Sequence, residues 1–86
     1  MRVVYAKEFL KTVASLPIEA QQKLDALIAL LAEDAFHPSL HSKRLKGRLK
    51  RFYSFRITRD WRVIFSREET DTIQLIEVAH RKDIYR

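Results

Sequence analysis

The residues best suited to chemistry in this chain are three arginines, one histidine and one tyrosine: Arg56, Arg62, His80, Arg81 and Tyr85. Guanidinium groups bind phosphate oxygens through bidentate contacts and stay charged at any physiological pH. His80 is the only histidine outside the segment Phe36–Ser42, and imidazole is the only side chain here whose ordinary pKa lies near neutrality. Cations, one imidazole and one phenol beside a groove suffice for metal-free cleavage of RNA. That reaction needs a base for the ribose 2′-OH, positive charge for the phosphorane, and an acid for the leaving 5′-oxygen. The same terminal residues, H-R-K-D-I-Y, could equally form a charged tail with Tyr85 closing the core.

The element that must position Arg56 and Arg62 is Arg48–Phe65, R-L-K-R-F-Y-S-F-R-I-T-R-D-W-R-V-I-F. Aromatic and β-branched residues alternate on either side of Thr58-Arg59-Asp60, which predicts a hairpin. A three-residue turn sets Ile57 opposite Trp61, Phe55 opposite Val63 and Tyr53 opposite Phe65, giving one wholly apolar face. It also sets Arg56 opposite Arg62 on the other face, with Ser54 beside Ile64 and Phe52 beside Ser66. Like charges facing each other across strands are unfavourable. They are either splayed into solvent or held for a shared anionic ligand.

The chain has 86 residues, 17 bases and 11 acids, for a net charge of +6, and its pI is near 10.0. Lys43 to Arg62 holds nine bases against Asp60 alone, a net of +8; the rest holds eight bases and ten acids. The basic excess is therefore local. Lys43, Arg44, Lys46, Arg48, Lys50, Arg51 and Arg59 are the candidate RNA contacts around Arg56 and Arg62, interleaved with Phe52, Tyr53, Phe55 and Trp61. Bases among aromatics suit a nucleic acid, although a solvated connector would have the same composition. An anionic membrane surface would call for a basic amphipathic helix, and this stretch has strand periodicity.

One domain, residues 1–86, is expected. A chain this short buries about 60–65% of its unfolded surface, so an open groove is more natural than a deep pocket. With no cysteine there is no disulfide, thiolate site or thiol nucleophile. The first residues form too short an apolar run for a signal peptide, and no later run is long enough to span a bilayer, which points to a cytoplasmic protein without a membrane partner.

Arg2–Tyr5 reads as a first strand. Lys7–Leu16 reads as a helix with Phe9, Leu10, Val13 and Leu16 on its apolar face, ended by Pro17. A second helix is expected from Pro17, as its first residue, to about Ala35, with Ala20, Leu24, Leu27, Ile28 and Leu31 facing inward. Phe36–Ser42 is a loop. His37 and His41 invite a metal reading, but Pro38 disrupts the helix that such spacing would use and no carboxylate or cysteine completes a shell. Gly47, the only glycine, marks a turn or a close backbone approach. Ile73–Ala79 is a fourth strand whose apolar residues fall on both faces, so alternation leaves its register open. The fold class is α+β: an N-terminal strand and a helical hairpin packed on one face of a mainly antiparallel four-stranded sheet.

In this order the motifs L-K-G (Leu45–Gly47), F-Y-S-F-R-I, D-W-R-V-I-F and I-x-L-I-E-V-A-H-R-K-D-I-Y resemble the RelE/ParE superfamily of bacterial toxins, and its RelE mRNA interferase branch in particular. The resemblance spans nearly the whole chain. It implies a type II toxin that cuts mRNA in the ribosomal A site to a 2′,3′-cyclic phosphate with no cofactor, and a cognate antitoxin that wraps it in a hetero-oligomer. Arg62, Arg81 and Tyr85 match the family's functional positions, Arg56 matches one of its basic positions before the turn, and His80 falls where several relatives use a catalytic histidine. Ser54 stands where RelE has a lysine, which leaves His80, with Lys46 and Lys50 behind it, as the candidate base. Alternatives of the same fold are a ParE-like gyrase inhibitor and an inactive antitoxin-binding module; a general nucleic-acid binder is a fourth reading.

Overall fold

The strands assemble into one sheet in the order β1-β5-β4-β3-β2, in a computed structural model that describes residues 1–85; Arg86 lies outside the described residues. The elements are β1 (Arg2–Tyr5), α1 (Lys7–Val13), α2 (Ile18–Glu33), β2 (Lys43–Arg44), β3 (Tyr53–Arg56), β4 (Trp61–Glu69) and β5 (Thr72–His80). β1 runs parallel to β5, and the other pairings are antiparallel. The α+β class is as expected, but the sheet has five strands rather than four. The extra strand is two residues of the basic connector, Lys43 and Arg44, which pair with Ser54 and Tyr53. Two charged residues carry no alternation, and lysine and arginine suit an exposed sheet edge.

α1 stops at Val13 rather than Leu16. Its last turn tightens through Ser15 N–H to Thr12 O and Leu16 N–H to Val13 O, and the Ser15 hydroxyl also donates to Thr12 O at 2.7 Å. Leu10, expected on the buried face, is 58% exposed; so short a helix buries a narrow stripe led by Phe9. Pro17 is the N-cap of α2 rather than its first residue, and its carbonyl accepts from Ala20 and Gln21. The helix ends at Glu33, because Asp34 is extended and its carboxylate accepts the Phe36 N–H.

The main core lies between the helices and one sheet face, where Leu31, Leu40, Phe55, Val63, Phe65, Ile73 and Leu75 are fully buried. The β3–β4 register is Tyr53–Phe65, Ser54–Ile64, Phe55–Val63 and Arg56–Arg62. Ile57 N–H and Thr58 N–H both reach Trp61 O across the three-residue turn. Alternation alone accounts for this hairpin. β5 differs, because its register against β4 shifts between Ile64 and Phe65: Ile64 pairs with Glu77 and Phe65 with Leu75, leaving Ile76 as an extra residue. Across this bulge the core-facing positions change from Ile73 and Leu75 to Val78 and then His80.

The opposite sheet face is less polar than its alternating residues suggest. Leu45, Ile64 and Ile84 are buried in a second cluster, with Leu49, Phe52, Ile76 and Ala79 packed against them. The connector and the terminal segment thus fold over the sheet on the side away from the helices.

The Thr12 hydroxyl joins α1 to the backbone of β5. Thr12 Oγ1 donates to Glu8 O and accepts the Val78 N–H at 2.9 Å. Thr12→Val keeps the shape and strands that N–H, so a loss of about 1–3 kcal/mol in urea unfolding is expected, with Thr12→Ser losing much less. Phe65→Ala, at the centre of the main core, should lose about 3–5 kcal/mol in the same measurement.

Candidate nucleic-acid interface

Arg62 is the best-fixed cation of the sheet face away from the helices. It is half-buried, and its Nη1 donates to Arg59 O at 3.0 Å and to Thr58 O at 3.4 Å, so it braces the turn that precedes it. Burial first, then the charges of Arg56 and Arg81, push its guanidinium below its ordinary pKa, while Asp60 acts in the opposite direction. Arg56 stands directly across from it and is exposed. Arg81 reaches the same place from the end of β5: its N–H donates to Asp60 O at 2.7 Å, and its Nε lies 3.4 Å from Asp60 Oδ1. Asp60 is therefore a site residue that sequence reasoning passed over. The signal was available, since it is the lone acid in a segment of net charge +8.

The structure thus brings Arg56, Arg62 and Arg81 together. His80 is set apart from them. Opposite Trp61 across the β4–β5 ladder, it is turned by the bulge toward the main-core face, and its ring meets the indole edge-on at 5.2 Å. Its Nδ1 accepts the Lys82 N–H at 3.2 Å, so in the neutral ring the proton sits on Nε2. That tautomer presents a donor. To accept a proton at Nε2, the ring would have to carry its own proton on Nδ1 and break the Lys82 contact.

Tyr85 does not close the core; Ile84 does so in the second cluster, and Tyr85 is 56% exposed. Its hydroxyl accepts the Lys46 N–H at 3.0 Å and ties the terminal segment to the connector. An open cleft of about 470 Å³ lies there, lined by Lys46, Gly47, Arg48, Leu49, Ile84 and Tyr85. Gly47 sits at φ +64°, with nothing within 4 Å of where a Cβ would stand, so this position needs glycine for its turn and not for a close approach.

The other predicted contacts divide into two groups. Arg44 donates from Nε to Lys50 O at 3.0 Å and shapes the connector. Lys43, Lys46, Arg48, Lys50, Arg51 and Arg59 are exposed around the rim. His37 accepts the Ser39 N–H at Nδ1, which caps the short 3-10 turn Pro38–Leu40. Among the described residues no group of three or more His, Cys, Asp or Glu could hold a metal ion, and no helix is long and apolar enough to cross a membrane. The arrangement presents three guanidinium groups, a phenol and a rim of further cations to a polyanion, with Asp60 as the counter-charge within the arginine group.

The model of the ParE-like toxin domain family matches residues 19–84. Among solved structures, YafQ from E. coli strain BL21(DE3) is similar over 100% of both chains, with a TM-score of 0.80 at 16% identity. The YoeB/ParE toxin from Agrobacterium tumefaciens has a TM-score of 0.77 at 18% identity, covering 94% of this chain and 99% of its own. A chain of the RelB-RelE antitoxin-toxin complex from Methanococcus jannaschii has a TM-score of 0.75 at 25% identity, covering 95% of this chain and 94% of its own. No curated protein sequence matches. With the family match spanning most of the sheet and the fold shared end to end, the chain belongs to the ParE-like toxin domain family of the RelE/ParE toxin superfamily.

Proposed function

We propose that this toxin is an endoribonuclease that cuts mRNA, in the ribosomal A site, by attack of a ribose 2′-oxygen on the adjacent phosphorus. The P–O5′ bond breaks as the new P–O2′ bond forms, leaving a 2′,3′-cyclic phosphate and a 5′-hydroxyl. The grouping of Arg56 and Arg81 about Arg62, with Asp60 paired to Arg81, is the observation that supports this reading. Such a group stabilises the dianionic phosphorane more than the ground-state phosphodiester, as catalysis requires, and the chemistry calls for no cofactor.

In this reading Arg62 is the fixed phosphate contact. Arg81 exchanges Asp60 for phosphate when RNA arrives, a step made easy by the exposure of both partners of that ion pair. Tyr85 stacks on or hydrogen-bonds the nucleotide at the connector cleft. His80, set apart from the arginine group, serves as the proton-transfer residue only after its ring releases the Lys82 N–H and turns toward the groove. The imidazolium is then the acid for the leaving 5′-oxygen, and the ring with its proton on Nδ1 is the base for the 2′-OH. Lys43, Arg44, Lys46, Arg48, Lys50, Arg51 and Arg59 steer the strand and hold ribosomal RNA. A cognate antitoxin is the expected protein partner, in keeping with the RelB-RelE complex of M. jannaschii and the DinJ-YafQ complex of E. coli. The family's ParE-like name favours one second reading, inhibition of gyrase.

The test is induction of the chain without antitoxin, with 5′ ends mapped on a translated and an untranslated reporter mRNA. New ends inside codons of the translated message are expected. Arg62→Ala and Arg81→Ala should each lower their yield by about 10²–10³-fold, the scale on which single charge-stabilising donors act. Arrest with intact mRNA and inhibited DNA supercoiling would replace this reading with the gyrase one; neither arrest nor cleavage would leave an inactive antitoxin-binding module.

A further inference from the structure

A second open cleft, of about 460 Å³, lies on the other side of the hairpin turn, between α2, the 3-10 turn and the end of β3. Its ionisable lining is entirely basic: Lys23 from α2, His41 after the 3-10 turn, and Arg56 and Arg59 from the hairpin. Ser39 and Thr58 add hydroxyl groups, and Leu27 and Ile57 give it an apolar floor. No carboxylate is among its lining residues. A merely solvated surface mixes acids with bases, so an acid-free concavity of this size suits an anion with some apolar body.

Two further observations favour a built site. His41 is the C-cap of the 3-10 turn, in the left-handed region at φ 49° and ψ 42° with its N–H bonded to Pro38 O, so its backbone is fixed at the rim of the cleft. Buried Leu40 before it and the bond from the Ser42 hydroxyl to Ala35 O after it hold it there. On the facing wall, the Arg59 carbonyl is held by Arg62 Nη1, so the Arg59 side chain leaves from a fixed backbone. Arg56 belongs both to this cleft and to the arginine group with Arg62. The two cationic places are thereby continuous along one edge of the hairpin.

We propose that this cleft is a second phosphate subsite for single-stranded RNA, with Lys23 and Arg59 as its phosphate contacts, His41 and the Ser39 and Thr58 hydroxyls as hydrogen-bonding partners, and Arg56 joining it to the place where Arg62 holds the strand. The identity of the ligand as RNA rests on the proposed endoribonuclease reading. An acidic protein segment is the rival occupant. Against it stand the apolar floor, which suits a base or ribose, and the direct continuation into the arginine group.

The experiment titrates the purified chain with a fluorescent six-nucleotide RNA, 2′-O-methylated throughout so that it cannot be cut, at several salt concentrations. A hexaglutamate peptide is titrated in parallel. For Lys23→Ala/Arg59→Ala we expect Kd for the RNA to rise at least about tenfold and the slope of log K against log salt to shrink by about 1.4, two contacts at about 0.7 each. In the unsubstituted chain, the amide resonances of Ser39, His41 and Thr58 should move on RNA addition. Both replaced side chains are exposed, so thermal melts should be unchanged. Unchanged RNA affinity and salt slope would overturn the proposal. So would loss of peptide binding with RNA binding intact, which would give the cleft to an acidic protein segment. Because the probe cannot react, failure here is distinct from failure of the cleavage reading, which the 5′-end mapping judges separately.

Discussion

Arg62 bound to the carbonyls of its own turn is the contact on which the basic face depends. Like-charged guanidinium groups drift apart unless something holds them, and here the holding is done by backbone. Arg62 grips Thr58 and Arg59, and the next turn residue, Asp60, receives Arg81 through main chain and carboxylate alike. The turn therefore gathers a cation from the following strand and another from the far end of β5, beside the Arg56 that precedes it. Repulsion within the group is tolerated because the hairpin's other face is buried in the main core, where Phe55, Val63 and Phe65 set the register. A one-residue slip would place those side chains in water.

That dependence explains what was legible in the sequence. The hairpin was, down to the Arg56–Arg62 pair, because Tyr53, Phe55 and Ile57 alternate cleanly against Trp61, Val63 and Phe65. The helices were legible from their apolar stripes, with errors at the ends where capping decides: Asp34 stops α2 and the tight turn after Thr12 stops α1. β2 was not, since Lys43 and Arg44 form a strand only by pairing with Ser54 and Tyr53.

The placement of His80 was hidden for a different reason. Ile73, Leu75, Val78 and His80 share a face only because Ile76 is extra, and a bulge adds a residue without any alternation to announce it. The second apolar cluster was equally silent. Leu45, Ile64 and Ile84 are far apart in the chain; Leu45 and Ile84 each stand beside charged residues, and Ile64 lies on the hairpin face opposite the main core. Their burial pins the connector and the terminal segment, and with them Lys46 and Tyr85, to the sheet. Placing cations on this face thus relies on a small core of its own.

β1 pairs in parallel with β5, so Arg2 lies beside Thr72, and β5 in turn is the strand that delivers Arg81. Contacts so distant along the chain form slowly, because a long loop must close before any pairing rewards it. Arg81 does not wait on that contact, because β5 joins β4 across the short turn between Glu69 and Thr72. The arginine group thus rests on local hairpins, while the long-range β1–β5 pairing closes the outer edge of the sheet.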